Sequence, residues 1–179
     1  MNKLSVEKRV QVISALVEGN SIRATCRMTD TAKGTVTRLL ASVGEACAKY
    51  HDEHVKNVTS KLIQCDEIWS FCYAKQKNVP EAHKGEYGYG DVWTWVALDA
   101  DTKLAVSWLV GLRNVECATH FINDLKSRVA NRIQLTTDGH KVYINAVENA
   151  FGSEIDYAML NKLYGETPEQ EKRYSPPQC

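Results

Sequence analysis

The chain has 179 residues, with 22 basic and 22 acidic side chains and a formal net charge of zero. That length holds one ordinary domain plus a small one. The chain reads as having no signal peptide and no apolar stretch long enough to span a bilayer, so neither a secreted leader nor a membrane helix is expected; among six cysteines there is no C-x-x-C pair, which leaves a zinc ribbon or finger unsupported.

The neutral balance hides a split. Residues 1–60 carry nine basic and six acidic side chains, and residues 61–179 carry thirteen and sixteen. The first part is therefore about +3 and the second about −3, which is compatible with DNA binding without requiring it. Absent a leader, a reduced cytoplasmic compartment is the default expectation. Cys47, His51 and His54 have ligand chemistry, but a polar helix end is the preferred reading of them.

Residues 5–18 read as a helix capped by Ser5, with Val6, Val10, Ile13 and Val17 at helical spacing and Gly19-Asn20 as the stop. Ser21 caps a second, short helix to about Met28, with Arg23 and Arg27 on one face. A turn over 29–32 leads to a third helix from Lys33 to Tyr50, whose buried stripe is Val36, Leu39, Leu40, Val43 and Cys47. Three short helices with a tight turn before the third match a helix-turn-helix module. In such a module Lys33, Thr35, Thr37 and Arg38, near the start of the third helix, meet phosphates and base edges of duplex DNA, and Arg23 and Arg27 are expected as further DNA contacts. A plain three-helix packing or dimerisation unit is the competing reading. Residues 51–60 are polar and read as a linker.

From residue 61 the period changes. Lys61 to Ala74 reads as a strand, 75–90 as a loop or extended hairpin, and Asp91 to Leu98 as a strand covered on both faces. A turn over 99–102 returns the chain into a strand from Leu104 to Val110. Asn114 to Ala130 is a helix with Ala118, Ile122, Leu125 and Val129 inward. A strand from Arg132 to Asp138, a helix from Lys141 to Phe151 and a further strand over Ala158 to Leu163 complete the order. The four tryptophans are expected as core and sheet-face aromatics. A helical crossover returns the chain to a strand parallel to and beside the first.

That order carries the chemistry. Asp66 lies inside a strand and Asp138 ends one, followed by Gly139. Strands tolerate carboxylates poorly. An Asp before Gly is often only a turn former. Two such carboxylates on neighbouring strands, about 4 to 6 Å apart, would instead hold a divalent ion between hard oxygen ligands, the kind of site that cuts or joins a phosphodiester. By alternation Glu67 belongs to the opposite sheet face and is not expected as a ligand. His140 reads either as a phosphate contact or as a polar residue at a helix start.

The stretches Gln64-Cys-Asp-Glu-Ile-Trp-Ser-Phe71, Val96-Ala-Leu-Asp-Ala100 and Thr136-Thr-Asp-Gly-His-Lys-Val-Tyr143, with the helical module before them, resemble the DDE transposases of bacterial insertion sequences, nearest the insertion-sequence-one family. The resemblance implies an α/β protein: a helix-turn-helix module over 1–50, a linker over 51–60, a ribonuclease-H-like mixed sheet core over 61–164, and an irregular tail over 165–179. It implies two Mg²⁺ or Mn²⁺ ions held by Asp66 and Asp138 as catalytic residues. It implies duplex DNA partners, namely terminal inverted repeats and target DNA, a homodimer or higher oligomer in the synaptic complex, and a bacterial, nucleoid-associated setting. The family's third carboxylate, a Glu on a helix after the fifth strand, has no matching context. Glu148, Glu154 and Asp156 come too early, and Glu166, Glu169 and Glu171 lie in a stretch with three prolines. The core is therefore expected to be incomplete, with little or no cleavage as given. A repressor or competitor that only binds DNA, and another nuclease on the same core, are the alternatives.

Overall fold

The computed structural model describes residues 4–161, and the chain divides into two compact units, Met1–His54 and Val55–Cys179. In the first unit α1 (Val6–Val17) and α2 (Ile22–Thr29) begin alike. The Ser5 hydroxyl accepts from the Lys8 amide and the Ser21 hydroxyl from the Ala24 amide, each at 3.2 Å. These bonds satisfy amide donors that a helix start leaves unpaired. Asp30 ends α2 in the left-handed region, φ 46°, a conformation that Asp tolerates better than most residues. The turn is sealed by buried Thr25, Thr29 and Thr31. α3 (Lys33–His54) runs four residues beyond the expected end at Tyr50.

The apolar spacing of α1 is not its buried face, and the expected stripe of α3 is corrected. Val6, Val10 and Val17 are exposed, and α1 buries Val12 and Ala15 instead. On α3 only Val36 of the expected stripe is buried, Leu39 and Val43 are half-buried, and Leu40 and Cys47 are exposed.

In the second unit β1 (Leu62–Cys72), β2 (Gly90–Asp99) and β3 (Ala105–Gly111) form an antiparallel meander. α4 (Val115–Arg128) then leads to β4 (Gln134–Asp138), and α5 (Val142–Phe151) to β5 (Asp156–Leu160). The sheet order is β3-β2-β1-β4-β5, with β4 parallel to β1 and β5 parallel to β4. Only β2 runs against the rest. A five-stranded mixed sheet in this order, with helices after the third and fourth strands, is the ribonuclease-H-like arrangement. β5 starts two residues before the expected Ala158. Lys162 and Leu163, the end of that expectation, lie outside the described residues.

The core forms on one sheet face. Ile63, Cys65, Trp95, Ala97 and Leu135 meet Phe121, Ile122 and Leu125 of α4 and Tyr143 and Val147 of α5. Each fully buried aliphatic or Phe side chain contributes about 1.5 to 3 kcal/mol of transfer free energy. On the other face Val96 and Leu98 are only half-buried, so β2 is not covered on both faces as its apolar run suggested. Trp95 is core, Trp93 is half-buried, and Trp69 and Trp108 are 40% and 45% exposed. The 75–90 segment folds back on itself. Gln76 and Asp91 exchange side-chain-to-amide hydrogen bonds at 2.9 and 3.3 Å, and Gly90 takes φ 90°, where a side chain would be strained.

Asp99 closes the β2–β3 turn. It is 4% exposed and accepts from the Ser60 hydroxyl, from the amides of Asp101 (3.0 Å) and Thr102 (2.7 Å), and from the Thr102 hydroxyl (2.8 Å). The Ser60 hydroxyl, then the Thr102 donors, hold its carboxyl at about 2, below the ordinary 3.8. A depressed carboxyl stabilises the fold fully above the unfolded value and loses that contribution as pH falls through the folded one. Asp99→Ala should cost about 2 to 3 kcal/mol in urea denaturation at neutral pH, the scale of charge-assisted hydrogen bonds lost together. The gap between the two proteins should narrow steadily as pH is lowered from about 4 toward about 2.

Candidate metal centre

β1 is longer than its parallel neighbour. The last β1–β4 pair is Cys65 with Thr137, after which β1 continues alongside β2 alone, Asp66 opposite Val96. Asp66 and Asp138 are the next residues on either side of that last pair. They sit where the sheet forks, in a cleft of about 400 Å³ lined by Gln64, Asp66, Val96, Leu98, Thr136 and Asp138. A fork gives a strand carboxylate what a continuous sheet denies it, namely access to water and cations.

The cluster is made of local hydrogen bonds. Asp66 Oδ1 accepts from the Glu67 amide at 2.9 Å, which curls the carboxylate forward along the strand. Asp138 Oδ1 accepts from the His140 amide at 3.0 Å. One oxygen each of Asp66, Glu67 and Asp138 lies within 4.8 Å of the others, the only such group of three acidic, His or Cys side chains among the described residues. Asp66 and Asp138 thus come within 4.8 Å of each other on adjacent parallel strands. Cys47, His51 and His54 form no such group. The ring of His54 instead stacks on Tyr50 at 3.9 Å.

Glu67 follows Asp66 on β1 and keeps the inward face that alternation gives it. Its side chain is 1% exposed, yet its carboxylate joins the cluster. What draws it there is Arg113, just past β3. Arg113 Nε donates to Glu67 Oε2 at 2.9 Å and Nη2 donates to Asp138 Oδ2 at 3.2 Å, with Nη2 also 2.9 Å from Glu67 Oε2. The guanidinium lies over the Trp93 ring, 4.8 Å from its centroid. A strand-to-helix loop arginine gives no sequence signal of this role; only the fold brings Arg113 to Glu67 across 46 positions. Glu67 Oε1 and the Tyr143 hydroxyl are buried and neither makes a hydrogen bond of good geometry. Burial, with the nearby Cys65 and Glu67, pushes the Tyr143 phenol far above its ordinary value. Burial likewise raises the Cys65 thiol, so Cys65 stays a protonated core side chain.

Other expected participants lie elsewhere. The His140 ring turns inward, near Trp95 and Tyr143, with Nε2 buried, so it is not placed as a phosphate contact. Glu154 pairs with Lys126 and Asp156 with Arg132, and Glu148 is exposed on α5. Glu166, Glu169 and Glu171 lie outside the described residues. In the first unit Arg23, Arg27, Lys33, Thr37 and Arg38 are exposed and Thr35 is half-buried. The Thr37 hydroxyl donates to the Lys33 carbonyl at 2.6 Å, which leaves it only acceptor capacity.

A site of hard carboxylate oxygens that already holds a guanidinium suits a cation in charge and in donor type, and its donors fit Mg²⁺ or Mn²⁺ rather than a thiophilic metal. No family model and no curated protein matches the chain significantly. Among solved structures it is similar to piggyBac transposase in a synaptic complex with hairpin DNA, with TM-score 0.46 and 12% identity over 96% of this chain and 45% of that one. It is also similar to Mos1 transposase in a paired-end complex with the left transposon end (TM-score 0.35, 10% identity, 89% of this chain, 60% of that one). A pre-cleavage Mos1 transpososome gives 0.32 and 9%, over 89% and 61%. The chain thus spans between 45% and 61% of those proteins' lengths. The fold assignment rests on the strand order, not on these likenesses.

Removing Arg113 strands a buried carboxylate. Arg113→Gln should destabilise the protein by about 2 to 3 kcal/mol in chemical denaturation, less than for a fully buried pair because Arg113 is one-third exposed. Adding Glu67→Gln should recover most of that loss. A single variant as stable as the parent would show that the pair is not buried in solution.

Proposed function

We propose that this chain is a DNA transposase polypeptide that cuts and joins DNA at the ends of a bacterial insertion sequence, with Asp66 and Asp138 as catalytic metal ligands. The observation that carries the reading is their meeting at the β1–β4 fork, within 4.8 Å, on the two strands that also bear the quoted sequence motifs. Bound there, divalent ions would activate a water or 3′ hydroxyl and stabilise the leaving oxygen of the phosphodiester. Asp66 and Asp138 supply hard ligands on a rigid sheet, and the amides of Glu67 and His140 fix the carboxylate orientations. No free third carboxylate joins them among the described residues, since Glu67 is bound to Arg113. Ion binding is therefore weak, and the chain as given cuts slowly or not at all.

The first unit is proposed as the DNA-reading module, with α3 in the major groove. Lys33 and Arg38 stand at the exposed start of that helix, and Arg23 and Arg27 on α2 face backbone phosphates. The proposed partners are duplex terminal repeats and target DNA, in a homodimer or larger synaptic assembly, within a bacterial nucleoid. A DNA-binding competitor without catalysis is the second reading. The capture of Glu67 by Arg113 favours it.

The test combines binding and cutting on the full chain. Duplex DNA binding should weaken by about 1 to 3 kcal/mol in Arg38→Ala if that residue meets a base edge. Asp66→Asn and Asp138→Asn should each lose Mn²⁺ binding, and any Mn²⁺-dependent plasmid nicking, while duplex binding is unchanged. Nicking that survives both substitutions would refute the assignment of the catalytic pair. Tight DNA binding with no detectable Mn²⁺ binding would establish the second reading.

A further inference from the structure

Two of the three carboxylates at the fork, Glu67 and Asp138, share one guanidinium, and they do not share it equally. Arg113 Nε donates to Glu67 Oε2 at 2.9 Å and Nη2 lies 2.9 Å from the same oxygen, whereas Asp138 accepts from Nη2 alone, at 3.2 Å. The Glu67 side chain is 1% exposed and that of Asp138 is 29% exposed. A carboxylate sealed from water cannot surrender its only cation, whereas one that reaches solvent can exchange partners. The Trp93 face holds the guanidinium from the other side. The Glu67 end of Arg113 is therefore fixed and the Asp138 end is exchangeable.

The charges point the same way. Asp66, Glu67 and Asp138 with Arg113 sum to −2, which one divalent ion neutralises. Asp66 and Asp138 are the two carboxylates that face the open cleft.

We propose that Arg113 is a resident counter-ion that competes with a divalent cation for Asp138. It stays on Glu67 and releases Asp138 when Asp66 and Asp138 take the ion. Arg113 is a positioning residue that acts through Asp138, and Glu67 is its anchor rather than a metal ligand. In the ion-free protein the guanidinium relieves repulsion between the two aspartates and keeps them in place. It also weakens ion binding, because each ion must displace a charge-assisted hydrogen bond. This inference rests on the metal-centre reading above.

The experiment is a Mn²⁺ titration of the full chain, with free Mn²⁺ followed by electron paramagnetic resonance. The informative variant is Glu67→Gln with Arg113→Gln. It leaves net charge unchanged and no buried charge unpaired, so it should fold, and a melting curve checks this. Displacement predicts that it binds Mn²⁺ at least about tenfold more tightly than the parent, the scale of one charge-assisted hydrogen bond no longer broken. Arg113→Lys keeps the charge and the Glu67 partner but loses the planar fork, and should also bind more tightly. Unchanged affinity in both variants would mean that Arg113 acts only through net charge. Weaker binding would mean that it is a strut the site needs. Either result overturns the proposal. Asp66→Asn separates this from the underlying reading. If Asp66→Asn weakens binding while the charge-neutral variants do not tighten it, the metal centre stands and the counter-ion proposal falls. If Asp66→Asn changes nothing, both fall.

Discussion

The parallel pairing of β1 with β4 governs the acidic cluster. It runs from Leu62 against Gln134 to Cys65 against Thr137 and then stops, because β4 ends at Asp138 while β1 continues to Cys72. Below the stop, both strands are tied into the core by Ile63, Cys65 and Leu135. Above it, two aspartates face an open cleft. The pairing thus sets both the rigidity of the ligands and their access to solvent. A shift of one residue in register would exchange the faces of the whole strand. It would send Asp66 into the core and Ile63 and Cys65 out of it, so the apolar residues that bury β1 also aim its carboxylate.

The second determinant is electrostatic. Burying Glu67 is tolerable only because Arg113 arrives from the end of β3 to meet it, and Arg113 is itself steadied on Trp93. Three carboxylates this close would repel strongly without that cation. Fold stability and ion affinity are then coupled through one guanidinium. Whatever tightens its hold on Asp138 steadies the ion-free protein and opposes the ion. Asp99, at the other end of β2, shows the contrasting solution. Its carboxylate is surrounded by Ser60, Asp101 and Thr102 donors, which tie it into the turn.

Much of the second unit was legible in the sequence because its elements have strong periods and clear stops. The Asn114 side chain caps α4, and Ala118, Ile122 and Leu125 face inward as expected. The neighbourhood of Asp66 and Asp138 followed from element order alone. The Glu67–Arg113 pair did not, since Glu67 obeys strand alternation and still reaches the cluster along its long side chain. No local pattern reveals that a loop arginine will cross to it. The inward face of α1 was not legible, for a different reason. Its apolar residues recur at two sets of helical spacings, Val6-Val10-Ile13-Val17 and Val12-Ala15-Leu16, and only packing with α2 and α3 selects the second. β5 begins earlier than expected because Asp156, a weak strand former, is held there by Arg132.

A capacity to hold a divalent ion separates an enzyme from a DNA-binding protein built on the same sheet, and it is visible directly. Crystals of the chain grown with Mn²⁺, measured for anomalous scattering, should show a peak about 2.1 Å from carboxylate oxygens of both Asp66 and Asp138, with Arg113 still on Glu67 but withdrawn from Asp138. A saturating Mn²⁺ soak with no peak at the fork, or with peaks only on other residues, would contradict the metal-centre account.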